Sequence, residues 1–179
     1  IRNHCVTGVQ TCALPIWIED YGKEILFKIE PGRFIAAESG VLLGRVQAKK
    51  QNAGQKYVGT DLGMNVLIRP MMYDSWHDIE VYRQGQIISE YDSSEVVTVV
   101  GNICETGDII ADGRLLPRIE EGDIVCILDA GAYGFAMASN YNNRLKPAEV
   151  LIDSSGTHRL IRRRQTLEDL MREFPEYDL

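Results

Sequence analysis

Five short stretches of this chain bring together groups that can exchange protons or hold ions. Asn102-Ile103-Cys104-Glu105-Thr106-Gly107-Asp108 sets a thiol beside a carboxylate in a turn-rich loop. Glu30-Pro31-Gly32-Arg33 places an acid and a base on one rigid turn; proline fixes φ there and glycine permits close backbone approach. Arg69-Pro70-Met71-Met72-Tyr73 carries a guanidinium and a phenol on one short segment. Gly131-Ala132-Tyr133-Gly134 frees a tyrosine between small residues, and Asn140-Tyr141-Asn142-Asn143-Arg144 is polar and aromatic. Each alone has an ordinary explanation. Glu30 and Arg33 could be a surface pair of little worth. Arg69 could be a solvated loop residue, Cys104 a small buried hydrophobe and Tyr133 part of a core. The order of all five along one chain is what carries weight.

The elements that must position them read as short strands. Residues 24–29 form one strand, closed by the Pro31-Gly32 turn, and residues 34–37 and 41–48 follow. Residues 50–55 read as a polar loop, and 56–60 as a strand entering the turn at Asp61-Leu62-Gly63. Residues 78–82 alternate apolar and polar, as a half-buried strand does, and 95–100 are dense in β-branched side chains. Residues 123–128, an apolar run between turns, predict a buried strand that makes Cys126 inert. Residues 135–138, 149–152 and 158–161 complete the set. One helix is expected over 166–174, with Thr166 as cap, Glu168 and Asp169 in the first turn and Pro175 as the stop. Many short strands at near-regular spacing predict a mainly β domain, an antiparallel barrel or sandwich with a C-terminal helix.

Composition narrows the function classes. The 179 residues suit one domain with a real core, and the net charge of −7 argues against nucleic acid, which needs surplus Lys and Arg. Arg162-Arg163-Arg164 is too short a basic run to change that and reads as a solvated lead-in to the helix. No apolar run is long enough for a bilayer, and no segment has signal-peptide order. Cys5, Cys12, Cys104 and Cys126 lack metal-ligand spacing and are too sparse for a disulfide scaffold, so a cytoplasmic protein with reduced thiols and no metal is expected.

Residues 4–16 show no period and are similar to the translated read-through of a sequencing adapter. Residues 1–16 are therefore expected to be a non-native leader, 17–29 the end of a preceding domain, and 30–179 the C-terminal β domain.

In order, Glu30-Pro31-Gly32-Arg33, Gly59-Thr60-Asp61-Leu62-Gly63-Met64, Arg69-Pro70-Met71-Met72-Tyr73-Asp74, Cys104-Glu105-Thr106-Gly107-Asp108 and Asp129-Ala130-Gly131-Ala132-Tyr133-Gly134 resemble the C-terminal domain of diaminopimelate decarboxylases. These belong to the alanine-racemase-like (fold type III) class of pyridoxal-phosphate enzymes. The resemblance covers about residues 20–179. Its most specific element is Cys-Glu-x-Gly-Asp, which here has Thr106 where the family form has Ser. It implies a pyridoxal 5′-phosphate cofactor, with Glu30 facing its ring nitrogen and Gly32, Arg33 and Tyr133 around its other groups. Arg33 would bind the cofactor phosphate or a substrate carboxylate, Arg69 and Tyr73 the distal carboxylate, and Glu105 the distal ammonium, with Tyr133 also contacting the substrate. Cys104 would return a proton to the α-carbon, a task that suits a thiol. The resemblance further implies a homodimer with shared sites, into which Cys104 and Glu105 reach across. The cofactor's lysine would lie in an N-terminal β/α barrel that is missing; Lys49, Lys50 and Lys56 follow Glu30 and cannot replace it. The chain alone is therefore expected to be inactive.

Ornithine, arginine and carboxynorspermidine decarboxylases are the rivals within the class. The ornithine and arginine enzymes share the Glu-Pro-Gly-Arg and Cys features but usually differ after the Cys. A non-catalytic regulatory relative is expected to have lost Glu30, Cys104 or Tyr133, all present here. A generic β-barrel binding module leaves the ordered motifs unexplained.

Overall fold

In a computed structural model of the chain, residues 32–89 and 93–174 are described. The expected leader, the 17–29 segment and the strand at 24–29 lie outside them, as do Glu30, Cys5 and Cys12. A one-turn helix α1 (Gly32–Ala36) runs into a 3-10 turn (Ala37–Ser39). Strands β1 (Leu42–Asn52) and β2 (Gln55–Thr60) form a hairpin, and helix α2 (Arg69–Tyr73) follows. Then come β3 (Ile79–Arg83), β4 (Gln86–Ile87), β5 (Ser94–Val100), β6 (Ile109–Pro117) and β7 (Ile124–Ile127). A separate two-stranded sheet, β8 (Glu149–Ile152) and β9 (His158–Arg162), precedes helix α3 (Leu167–Met171).

The main sheet has seven strands in the order β4-β3-β7-β1-β2-β5-β6. The mainly β expectation holds, and the sheet is mixed: β2 and β5 pair in parallel, from Tyr57 opposite Thr98 to Gly59 opposite Val100. Its core is built from β-branched side chains, which suit a pleated, buried surface. Val46, Val58, Val81, Val97, Val99, Val125, Ile119 and Ile127 are all but fully buried.

Four local expectations are corrected. Residues 34–37, expected as a strand, turn helically, because a four-residue apolar run has no period to distinguish the two. Residues 135–138 likewise form a 3-10 turn over Phe135–Met137. The stretch 50–55 is a hairpin tip rather than a loop. Ala53 and Gly54 take φ of 47° and 85°, a tight two-residue turn, and exposed Lys and Gln continue the strands on either side. Strand β6 was not expected at all. Asp112-Gly113 forms a bulge opposite Thr98, whose hydroxyl donates to Asp112 Oδ1 at 2.7 Å and accepts from Gly113 N–H at 3.2 Å.

The basic run lies where a helix lead-in was expected. Arg162 stacks on Phe135, with its guanidinium carbon 3.6 Å from the ring centroid, and donates to Glu149 at 2.6 Å. Arg163 forks onto Asp169 at 2.6 Å twice, and Asp169 also accepts the Thr166 N–H at the helix start. Among the described residues no helix is long and apolar enough to cross a membrane.

Candidate active site

Two neighbouring loops assemble a cationic cluster. The 129–134 loop docks on the end of α1. Gly131 N–H donates to the Ala37 carbonyl at 3.0 Å and Ala130 N–H to that of Gly40 at 2.8 Å. A β-carbon on Gly131 would overlap the Ala36 carbonyl, so only glycine fits. Tyr133 then sits at φ 60°, a left-handed conformation uncommon for a tyrosine. Its hydroxyl meets Gly32: a β-carbon there would lie 2.8 Å from it.

Arg69 opens α2 and is buried, although its helix mate Tyr73 and the loop's Tyr133 are exposed. Its guanidinium lies 5.3 Å from both ring centroids, a cation between two π faces. It donates to Ser75 Oγ at 3.1 Å and, among the described residues, no acid pairs with it. Burial lowers its pKa first, and the nearby Arg33 lowers it further, while the two phenols oppose both.

His77, which the sequence reading passed over, completes this cluster. It is 5% exposed; Nδ1 lies 2.8 Å from the Leu128 carbonyl, and Nε2 is buried without a hydrogen-bond partner. Burial holds its pKa down, the Leu128 contact works against that, and Arg69 and Arg33 push the same way as burial. At neutral pH the ring is therefore uncharged, and Nδ1 donates to the carbonyl. Its signal was its place, as one of three histidines in the chain, four residues beyond Tyr73.

The second group is the Cys104 loop. Cys104 is exposed and Glu105 half-buried. The Glu105 carboxylate accepts from the Thr106 hydroxyl at 3.1 Å and from Gly107 N–H at 3.4 Å. No described hydrogen bond, ion pair or ring contact links Cys104 or Glu105 to Arg69, Tyr73, Tyr133 or Arg33. The loop does touch α2 through Met71, since a β-carbon on Gly107 would lie 2.9 Å from the Met71 methyl. Cys126 lies buried on β7, where burial and then Glu80 raise its thiol pKa. Asn140 ties its loop together, donating to the Arg144 carbonyl at 2.8 Å and to Gln165 at 2.7 Å.

A buried guanidinium with no counter-charge is costly unless an anion joins it. The pair Arg33 and Arg69, the two phenols and the glycine cradle at Gly32 fit an anionic group such as a phosphate or carboxylate. The donor set therefore suits a phosphorylated cofactor or a dicarboxylic substrate. Among the described residues no group of three His, Cys, Asp or Glu could hold a metal.

Residues 24–131 match the family described as "Pyridoxal-dependent decarboxylase, C-terminal sheet domain". The chain belongs to this family. A diaminopimelate decarboxylase of Methanothermobacter thermautotrophicus is 45% identical over 144 residues, 80% of this chain and 32% of that protein. A crystal structure of a diaminopimelate decarboxylase superposes with a TM-score of 0.77 at 38% identity, over 95% of this chain and 42% of that one. The Helicobacter pylori enzyme, solved in complex with L-lysine, gives 0.72 at 39% identity, over 82% of this chain and 34% of that one. The chain thus spans about a third to two fifths of the length of these relatives.

Proposed function

We propose that this chain is the C-terminal part of a pyridoxal 5′-phosphate-dependent diaminopimelate decarboxylase, which converts meso-2,6-diaminopimelate to L-lysine and carbon dioxide. The observation that carries the reading is Arg69, buried against the rings of Tyr73 and Tyr133 beside Arg33, with no acid paired to it among the described residues. The similarity to proteins of that name supports the substrate.

Arg69 and Tyr73 hold the distal carboxylate, which orients the substrate and leaves the other end to react. Tyr133, over Gly32, would help hold the cofactor, and Arg33 would take its phosphate or a substrate carboxylate. Glu30, outside the described residues, would supply the carboxylate that pairs with the cofactor's ring nitrogen. When bound, the cofactor supplies a ring that withdraws electrons as carbon dioxide leaves. Cys104 delivers a proton to the α-carbon from its Sγ. Glu105 binds the distal ammonium, and an acid there is left unpaired by a substrate without the amine. In this reading the enzyme is a homodimer in which Cys104 and Glu105 serve the partner's site, in keeping with the lack of any described contact from either residue to Arg69, Tyr73, Tyr133 or Arg33. A cytoplasmic location fits the exposed free thiol.

The full-length protein with added cofactor is the test. Carbon dioxide release from meso-diaminopimelate should exceed that from ornithine, arginine or carboxynorspermidine by at least about a hundredfold in kcat/KM. Equal or faster turnover of any of the three would overturn the substrate assignment. Release from none would favour a non-catalytic relative.

A further inference from the structure

Asp108 closes the Cys-Glu-Thr-Gly-Asp stretch and has no role in the chemistry above. It is 4% exposed, and neither of its oxygens reaches a cation among the described residues. Its Oδ1 accepts Met64 N–H at 2.6 Å and its Oδ2 accepts Ile103 N–H at 2.7 Å. Its own backbone is tied on both sides, the N–H to the Glu105 carbonyl at 3.1 Å and the carbonyl to Gly101 N–H at 2.9 Å. Gly101 is glycine because a β-carbon there would overlap the carboxylate.

The two amides held by Asp108 belong to different parts of the chain. Ile103 immediately precedes Cys104. Met64 opens the turn whose Gly63 carbonyl accepts Val66 and Leu67 N–H, and which leads directly into α2 and Arg69. Backbone contacts reinforce the junction: Asn102 N–H donates to the Leu62 carbonyl at 2.9 Å, and Asn102 Nδ2 to that of Asp61 at 2.9 Å. We infer that Asp108 is a positioning residue, a buried strut that sets the Cys104-Glu105 loop at a fixed place relative to the segment carrying Arg69.

Only a carboxylate does this. Each of its oxygens accepts, so two N–H groups pointing inward are both satisfied. An asparagine would turn an NH2 toward one of them, leaving that buried donor without an acceptor. Burial pushes the Asp108 carboxyl up, and the two amide contacts with Ile103 and Met64 work against it, with Arg144 as the more distant cation. In the dimer of shared sites the strut joins a group serving one site to a group serving the other. This consequence rests on the assignment of Cys104 above.

In the unaltered full-length protein, amide exchange should show Met64 and Ile103 strongly protected relative to Thr106, whose N–H has no described acceptor. Asp108→Asn should lower kcat about a hundredfold with KM changed less than about threefold, the signature of a misplaced proton donor. On a Cys104→Ala background the same substitution should cost less than about a further threefold. Unprotected Met64 and Ile103 amides would overturn the strut, whether or not the variant folds. So would losses that multiply in the double variant, as they do when a substitution merely loosens the domain. Full turnover by Cys104→Ala would instead remove the proposed role of Cys104, while the amide protection still decides the strut.

Discussion

Two buried aspartates hold two turns of this domain by opposite means. Asp123 sits before β7, and its carboxylate takes the Arg83 fork at 2.8 and 2.7 Å together with Glu120 N–H at 2.7 Å. Asp108 takes two amides and no cation. Both side chains are nearly inaccessible, yet their acidities move apart. At Asp123 burial pushes up, but the Arg83 and Glu120 contacts outweigh it and the carboxyl ends below its usual value. At Asp108 burial prevails and the carboxyl ends above it. A guanidinium neutralises a buried charge; two amides only accommodate it. The domain accepts the second arrangement beside Cys104, where the shape of a loop matters, and uses the first where only a turn must close.

If the Asp108 end serves chemistry and the Asp123 end serves folding, substitutions should separate the two. The largest effect is expected at the Asp108 end: Cys104→Ala in the full-length protein should lower kcat about 10²–10⁴-fold while substrate binding, measured by equilibrium titration, stays nearly unchanged. Within the cationic cluster, Arg69→Ala should raise KM about 10- to 150-fold, for a lost charged hydrogen bond of about 1.5–3 kcal/mol. At the other end, Asp123→Ala should destabilise the domain by about 1–3 kcal/mol in urea unfolding and leave kcat intact. A fall in kcat comparable to that of Cys104→Ala would dissolve the contrast.

Acid titration sharpens it further. A depressed carboxyl adds stability that is present above its unfolded pKa and lost as pH falls through the folded one. Asp123 thus contributes to the loss of stability below about pH 4, and Asp123→Asn should flatten that limb. A raised carboxyl does the reverse. Asp108 holds its proton longer in the folded state, so its contribution declines as pH rises past about 4, and Asp108→Asn should remove that decline. Urea midpoints from about pH 3 to 6 read both slopes. The smallest effect is expected at Cys126, beyond Asp123 on β7: Cys126→Ala should cost about 1 kcal/mol and no activity, and alkylation of its thiol should lag far behind that of Cys104.

Much of this was legible in the residues. The β-branched runs of β3, β5 and β7 declare themselves, and Thr166 with Asp169 marks the start of α3 correctly. What failed was local. Phe34 to Ala37 is apolar without a period, and the helical turn there is fixed by the distant Gly131 docking on Ala36 and Gly40. Asp112-Gly113 carries turn chemistry yet bulges inside a strand, because Thr98 on the facing strand takes both of its polar groups. The parallel pairing of β2 with β5 leaves no mark in either strand, since pairing direction is a property of two segments. The site divided the same way. Arg69, Tyr73, Tyr133 and Arg33 stood out by type and the structure gathers them, whereas His77 and the strut role of Asp108 depend on burial, which no spacing reveals.

The parallel β2–β5 pair has a bearing on how the chain folds. Strands aligned in the same direction cannot be joined by a tight turn, and residues 61–93 form the crossover between these two. Arg69, Tyr73 and His77 all ride on that crossover. Its loop-closure entropy must be met before the two strands can zip together. Completing the largest sheet therefore closes the very segment that carries Arg69, Tyr73 and His77.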